Sequence, residues 1–361
     1  MPYIKDRLLP YAIVLLLLLP LISGCAPARD LESQIHEATN PYRFRLLDWE
    51  LKSLPVEVGK LFNRRQKTAD NATSQEKMLE ERVRAAFSGQ GIYNPLDRFT
   101  TLKFGFPPVN IYLGKPPHLL IVSPRDRIEN IREVTLLPEM DEKDMEAIEA
   151  KIDALGYSSL VEELGGLSTF PSYITDDADI KFIIDTAAHE WLHLYLTFTP
   201  LGFLYLLDKI GLRQDYDLAT INESVAGMVS QEIGEIIYRK YYALPAASGT
   251  VPEAVTQRFD FNKAMREIRL AVDSYLAKGE IGTAEKFMEA QRRYLAANGY
   301  YLRKLNQAYF AFHGTYADSP TSVSPIGEEL KKLRSRSASL KDFLDRASLM
   351  TGRRDLADSV R

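Results

Sequence analysis

The sequence predicts an α+β protein, mostly helical, with a small sheet placed early in the chain. Three observations predict it. Between residues 99 and 137 the apolar residues fall in short runs broken by Pro, Gly and charged pairs, the pattern of brief strands. From Asp177 onward they recur at three- and four-residue spacings, the pattern of helices. The 361 residues are 45% hydrophobic and 26% charged, which excludes a disordered acidic tail, a collagen-like chain and a many-span membrane protein. A formal net charge of -4 gives no strongly basic face, so no nucleic-acid partner is expected.

Taken in order, the chain opens on an export signal. Lys5 and Arg7 supply a positive start, and residues 8–22 form an apolar run of about 15 residues, short of the roughly 20 that a spanning helix needs. The run ends in Ile22-Ser23-Gly24-Cys25, which resembles the bacterial lipobox, where small residues precede a cysteine that is lipidated and becomes the mature N-terminus. This reading makes residues 1–24 a signal peptide and Cys25 a lipidation site. The rest is then exported and held to the membrane of the bacterial cell envelope by its lipid. Ala26 is not an acidic retention signal. Cys25 is the one cysteine, so an internal disulfide is ruled out and the fold must rely on its core or a metal. Residues 25–75 read as a lipidated tether followed by two short helices over 42–62, divided at Pro55, and a polar loop at 64–75. The Asn71-Ala72-Thr73 triplet matches a glycosylation acceptor, which carries no weight behind a bacterial lipobox.

A helix is predicted over 77–87, ended by Gly89, Gly91 and Pro95, then strands at 104–106, 109–113, 119–122 and 134–137. Helical periodicity returns at 141–155, and residues 165–174 look like another strand. Helices follow at about 180–197, 218–242, 253–277, 283–312, 326–335 and 340–349. The clearest internal linker is 243–252, with two prolines and a glycine. It separates a core at 76–242 from a C-terminal helical region at 253–361 expected to complete the active-site cleft.

The chemistry concentrates in His189-Glu190-Trp191-Leu192-His193, the motif H-E-x-x-H. Residues four apart share a helix face, so both imidazoles can point at one ion while Glu190 reaches a water beside it. That spacing suits one zinc ion per chain, with Glu190 as general base. The flanking residues Phe182, Ile183, Ile184, Ala187, Ala188, Trp191, Leu192 and Leu194 predict a buried helix, where two histidines and a glutamate are costly unless paired or metal-bound. A third ligand is required. The metzincin pattern is excluded, because Leu196 and Thr199 stand where its glycine and third histidine would be. The next predicted helix offers Glu223, Glu232 and Glu235.

Asn222-Glu223-Ser224-Val225-Ala226, thirty residues after His193, resembles the N-E-x-x-A or N-E-x-x-S element of the gluzincins, the class that includes thermolysin and the aminopeptidase N-like enzymes. The resemblance implies a zincin-like catalytic domain with Glu223 completing a two-histidine, one-glutamate site. It also implies a Tyr or His oxyanion donor from a later helix. The segment 306–316 resembles the N-N-A-x-L element and following tyrosine of a family of bacterial predicted aminopeptidases, themselves lipoproteins or exported. There Gln307 replaces an asparagine, and Ile221 and Val225 replace phenylalanines. Tyr316 and His313 are the oxyanion candidates, and Tyr309 reads equally as core. Zincins commonly pair an extended peptide with an edge strand beside the active-site helix. Residues 165–174 are that candidate, with Ser168, Thr169 and Phe170 as substrate contacts. The G-x-M-E-N element that holds a free amino terminus in aminopeptidase N-like enzymes is missing, which weakens the aminopeptidase reading without deciding between endo- and aminopeptidase action. Asp176, Asp177 and Asp179 read as a helix start.

The expected function is an envelope-anchored zinc metallopeptidase acting on a peptide or protein substrate. The alternative is a non-catalytic peptide-binding or structural lipoprotein that keeps a residual zinc site.

Overall fold

The computed structural model describes residues 29–45, 73–97, 103–213, 215–243, 259–316 and 319–361. The expected signal peptide, Cys25, most of the helices expected over 42–62 and nearly all of the 243–252 linker lie outside the described residues. The chain divides into two units, 1–40 and 41–361. The first contributes one described helix, α1 (Arg29–Thr39), whose Thr39 hydroxyl donates to the Ile35 carbonyl at 2.7 Å.

In the second unit, α2 (Ser74–Gly89) starts on a reciprocal cap. The Thr73 hydroxyl accepts from the Glu76 N–H, and the Glu76 carboxylate accepts from the Thr73 N–H. The same helix closes a sheet edge. Glu76 Oε1 accepts from the Leu113 N–H at 2.8 Å and Glu80 Oε1 from the Ile111 N–H at 3.0 Å. Carboxylates four helical residues apart rise by about 6 Å, close to the roughly 6.6 Å between alternate strand residues, so both amides of β1 (Ile111–Leu113) are met at once. β1 pairs in parallel with β6 (Ser172–Ile174), and β6 pairs antiparallel with β5 (Gly166–Leu167). The far edge of this sheet is therefore β5.

A second, antiparallel sheet has the order β3-β2-β4, with β2 (His118–Pro124), β3 (Arg132–Leu136) and β4 (Tyr157–Glu163). α3 (Glu142–Asp153) precedes β4 and is capped by Asp141. The apolar pattern does not announce β4, because Ser158 and Ser159 interrupt it. Both serines are buried and hydrogen-bonded: Ser159 Oγ donates to Asp153 Oδ1 at 2.7 Å, and Ser158 Oγ accepts from the Ala308 N–H at 3.4 Å.

Other segments depart from expectation for local reasons. Residues 104–106 are irregular, since the following Pro107 and Pro108 offer no N–H to a ladder. Residues 165–174 turn back on themselves to give β5 and β6 in place of one strand. The helix expected over 283–312 is two, α8 (Ile281–Ala297) and α9 (Gln307–His313), separated after Gly299 at φ +91°. Three unanticipated helices appear: α5 (Pro200–Lys209), α12 (Arg353–Ser359) and, in the stretch expected to be a tether, α1, whose Ile35 and Ala38 are buried. The helices α4 (Ile180–Leu196), α6 (Tyr216–Tyr241), α10 (Ile326–Ser335) and α11 (Leu340–Ala347) fall where periodicity placed them, and α7 (Phe261–Ala277) starts later than the expected 253, on an Asp260 cap.

The apolar residues gather in two clusters. One joins α2, β1, α4, α6 and the C-terminal helices around Ile184, Leu192, Val225 and Phe343. The other packs α7, α8 and α9 on β2 and β4 around Ile121, Leu160, Val272 and Phe310. Helices α4 and α6 press together closely. A Cβ at Gly234 would lie 1.7 Å from Asp185 Oδ1, so α6 can pass there only without a side chain. Among the described residues no helix is long and apolar enough to cross a membrane.

Candidate metal centre

Helix α4 begins at Asp179, whose carboxylate accepts from the Lys181 and Phe182 N–H groups, so this aspartate is a helix cap. Near its other end the helix brings His189 and His193 together, with their Nε2 atoms 3.0 Å apart. From α6, Glu223 Oε2 lies 3.3 Å from His189 Nε2 and 3.4 Å from His193 Nε2. Ligands about 2.0–2.2 Å from a tetrahedral zinc stand roughly 3.3–3.6 Å from one another, which the two glutamate–imidazole distances match, while the two imidazole nitrogens are slightly closer at 3.0 Å. The side chains are 16%, 11% and 9% exposed. Glu223 Oε2 is buried and makes no hydrogen bond among the described residues, as an atom reserved for a cation would be. The group could hold a metal ion. The competing acids are spent elsewhere, Glu232 on Arg334 at 2.7 Å and Glu235 on Arg239.

The charges are mutually dependent. Burial pushes the Glu223 carboxyl up, but the imidazoles of His193 and His189 outweigh it and hold the group well below the usual range. Burial likewise pushes His193 down, and the facing Glu223 more than reverses that. Beside Glu223 Oε2, His193 Nδ1 and both amide atoms of Asn222, the residue before the glutamate, are buried without a hydrogen-bond partner among the described residues.

Glu190 is buried at 8% exposure and is held by Ser168, from the turn after β5. Ser168 Oγ lies 2.7 Å from Glu190 Oε2 and 2.9 Å from its carbonyl oxygen, and its proton serves one of them at a time. The close approach depends on Gly166. A Cβ there would stand 2.6 Å from Thr186 Cγ2 and 2.7 Å from Glu190 Oε1. Thr169 is fully buried, and its hydroxyl donates to the Pro171 carbonyl at 2.6 Å, so the turn and not a substrate uses it. Phe170 is half-buried in the same turn.

The two oxyanion candidates separate. The Tyr316 ring lies 6.3 Å from that of His189, and burial, then Glu223 and Glu190, push its phenol well above the ordinary value. His313 instead faces Glu162 of β4 at 3.4 Å and lies 4.2 Å, ring to ring, from Tyr309. Tyr309 is part of the second core cluster.

Sequence reasoning missed Tyr205. Its hydroxyl donates to Glu223 Oε1, and its ring stacks on His193 at 5.6 Å and 19°. It sits on α5, which opens on an apolar run over residues 200–207 containing Pro200 and Gly202 and so reads as no regular element. The available signal was Thr199-Pro200, a capping residue followed by a proline at the first helical position. The Thr199 hydroxyl does accept from the Gly202 N–H.

The arrangement offers three ligand atoms from two helices, a buried carboxylate beside them and a phenol facing them. Set against known proteins, the chain matched no family model, no curated protein and no solved structure.

Proposed function

We propose that the chain is a zinc-dependent metallopeptidase of the gluzincin kind, with a zincin-like catalytic core, tethered to the bacterial envelope through lipid on Cys25. The observation that carries this reading is the convergence of His189 Nε2, His193 Nε2 and Glu223 Oε2, with Glu190 next to the first ligand and held by Ser168. Two imidazoles and a carboxylate form a donor set that zinc takes and that leaves a coordination position open. When bound, zinc supplies Lewis acidity toward a peptide carbonyl and lowers the pKa of water.

The chain's own residues do the rest. Glu190 takes the proton from the attacking water and returns it to the departing amine. Ser168 keeps the Glu190 carboxylate from rotating away. Tyr316, kept protonated by its surroundings, donates to the carbonyl oxygen as charge develops there. An extended peptide pairs with β5, the edge strand beside Glu190, while Glu76 and Glu80 occupy the β1 edge.

The test is elemental analysis and turnover together. The purified protein should carry about one zinc per chain and cleave members of a peptide library. Glu223→Ala should lose the zinc. Glu190→Gln should keep it while turnover falls by about a hundredfold or more. A protein that binds zinc but cleaves no peptide, with or without Glu190, would be the peptide-binding or structural lipoprotein instead.

A further inference from the structure

Helix α5 delivers two residues, one turn apart, to the outer side of the metal group. Tyr205 donates to Glu223 Oε1, the oxygen that does not face the imidazoles. Its ring lies parallel to His193. Four residues on, Lys209 Nζ stands 5.2 Å from the centroid of the Tyr205 ring and 2.7 Å from Glu133 Oε2 on β3. α5 itself is fixed at its start. A Cβ at Gly202 would lie 2.1 Å from the Leu196 carbonyl oxygen, so the helix is packed on the end of α4.

We propose that Tyr205 is a positioning residue for the metal. It holds Glu223 so that Oε2 alone faces the ion, and the Lys209–Glu133 pair holds Tyr205 in turn. The inference rests on the metal-site reading above. A carboxylate can offer a metal one oxygen or both, and the two modes differ in coordination number and affinity. A hydroxyl bonded to Oε1 opposes the swing that would bring it in. A cation over the ring face withdraws electron density from the phenol and strengthens its O–H as a donor. A residue that touches a ligand without being one typically changes metal affinity by about 10- to 100-fold when it is lost.

The experiment measures zinc affinity by chelator competition on the full chain, alongside the visible absorption of the cobalt(II)-substituted protein. Tyr205→Phe should still bind one metal at saturation, with affinity lowered about tenfold. Its cobalt bands should weaken, as they do when the coordination number rises. Lys209→Met should shift both readouts the same way by less; this side chain is 37% exposed and methionine keeps its apolar stem, so the variant is expected to fold, which circular dichroism checks. Unchanged affinity and spectrum in Tyr205→Phe, or in Lys209→Met should the first variant not fold, overturn the proposal while the metal site stands. A wild-type chain that takes up no zinc overturns both.

Discussion

At the scale of single residues, the Glu190 carboxylate depends on one hydroxyl. Ser168 is the donor to its Oε2 and comes from the turn after β5, not from the helix that carries the glutamate. Ser168→Ala should lower turnover about tenfold, the worth of roughly one hydrogen bond to a charged group, and leave zinc content unchanged. Steady-state kinetics beside elemental analysis checks this; an equal loss of zinc would show that the serine supports the ligands instead. His189, Glu190 and His193 were legible because helical spacing alone puts them together. Glu223 was legible through the element around it, and its rivals Glu232 and Glu235 could be set aside only once Arg334 and Arg239 were seen to hold them. Tyr205 was not legible. Its role comes from where α5 packs, and nothing in the twelve residues after His193 encodes that as a pattern. Thr169 shows the opposite failure, a polar residue in the right segment that the turn consumes.

At the scale of elements, glycines decide how closely the helices approach. Gly202 lets α5 start directly against the last turn of α4, where any Cβ would meet backbone. Gly202→Ala should therefore destabilise the protein by about 1–3 kcal/mol or more, the usual cost of forcing atoms into a packed interior. Gly227, inside α6, has open space around the position of a Cβ. Gly227→Ala should stabilise by about 0.5–1 kcal/mol through helix propensity. Thermal melts of the two variants should move in opposite directions. Elements with clear periodicity and caps, such as α3, α4 and α6, could be read from the chain, whereas β4 and α5 could not. β4 hides behind buried serines that satisfy one another's neighbourhood through hydrogen bonds. α5 hides because an apolar run with Pro and Gly has no period to read.

At the scale of the whole molecule, the candidate metal group lies where the two apolar clusters approach one another. Its ligands come from α4 and α6 in the first apolar cluster, and Tyr316 follows α9 of the second. An ion bound only by the folded state adds to stability by mass action, about 4 kcal/mol at a thousandfold excess over its dissociation constant. The melting temperature should therefore rise with zinc concentration, fall on chelation, and lose that dependence in Glu223→Ala. Calorimetry across a zinc series would show it, and a flat response in the wild type would count against a metal at this site. The early sheet and the late helices could be anticipated from composition and period, but which of their residues meet is a property of tertiary packing.

The two glutamates of α2 bear on more than the sheet they border. An open strand edge is a template on which another copy of the same chain can add itself, and so on without end. Glu76 and Glu80 occupy the outward amides of β1 with carboxylates that no incoming strand can displace without stranding buried charge. The edge that α2 does not occupy is β5, whose Gly166 stands against Glu190. Additive growth of the sheet is closed off at its β1 side by two side chains of a neighbouring helix.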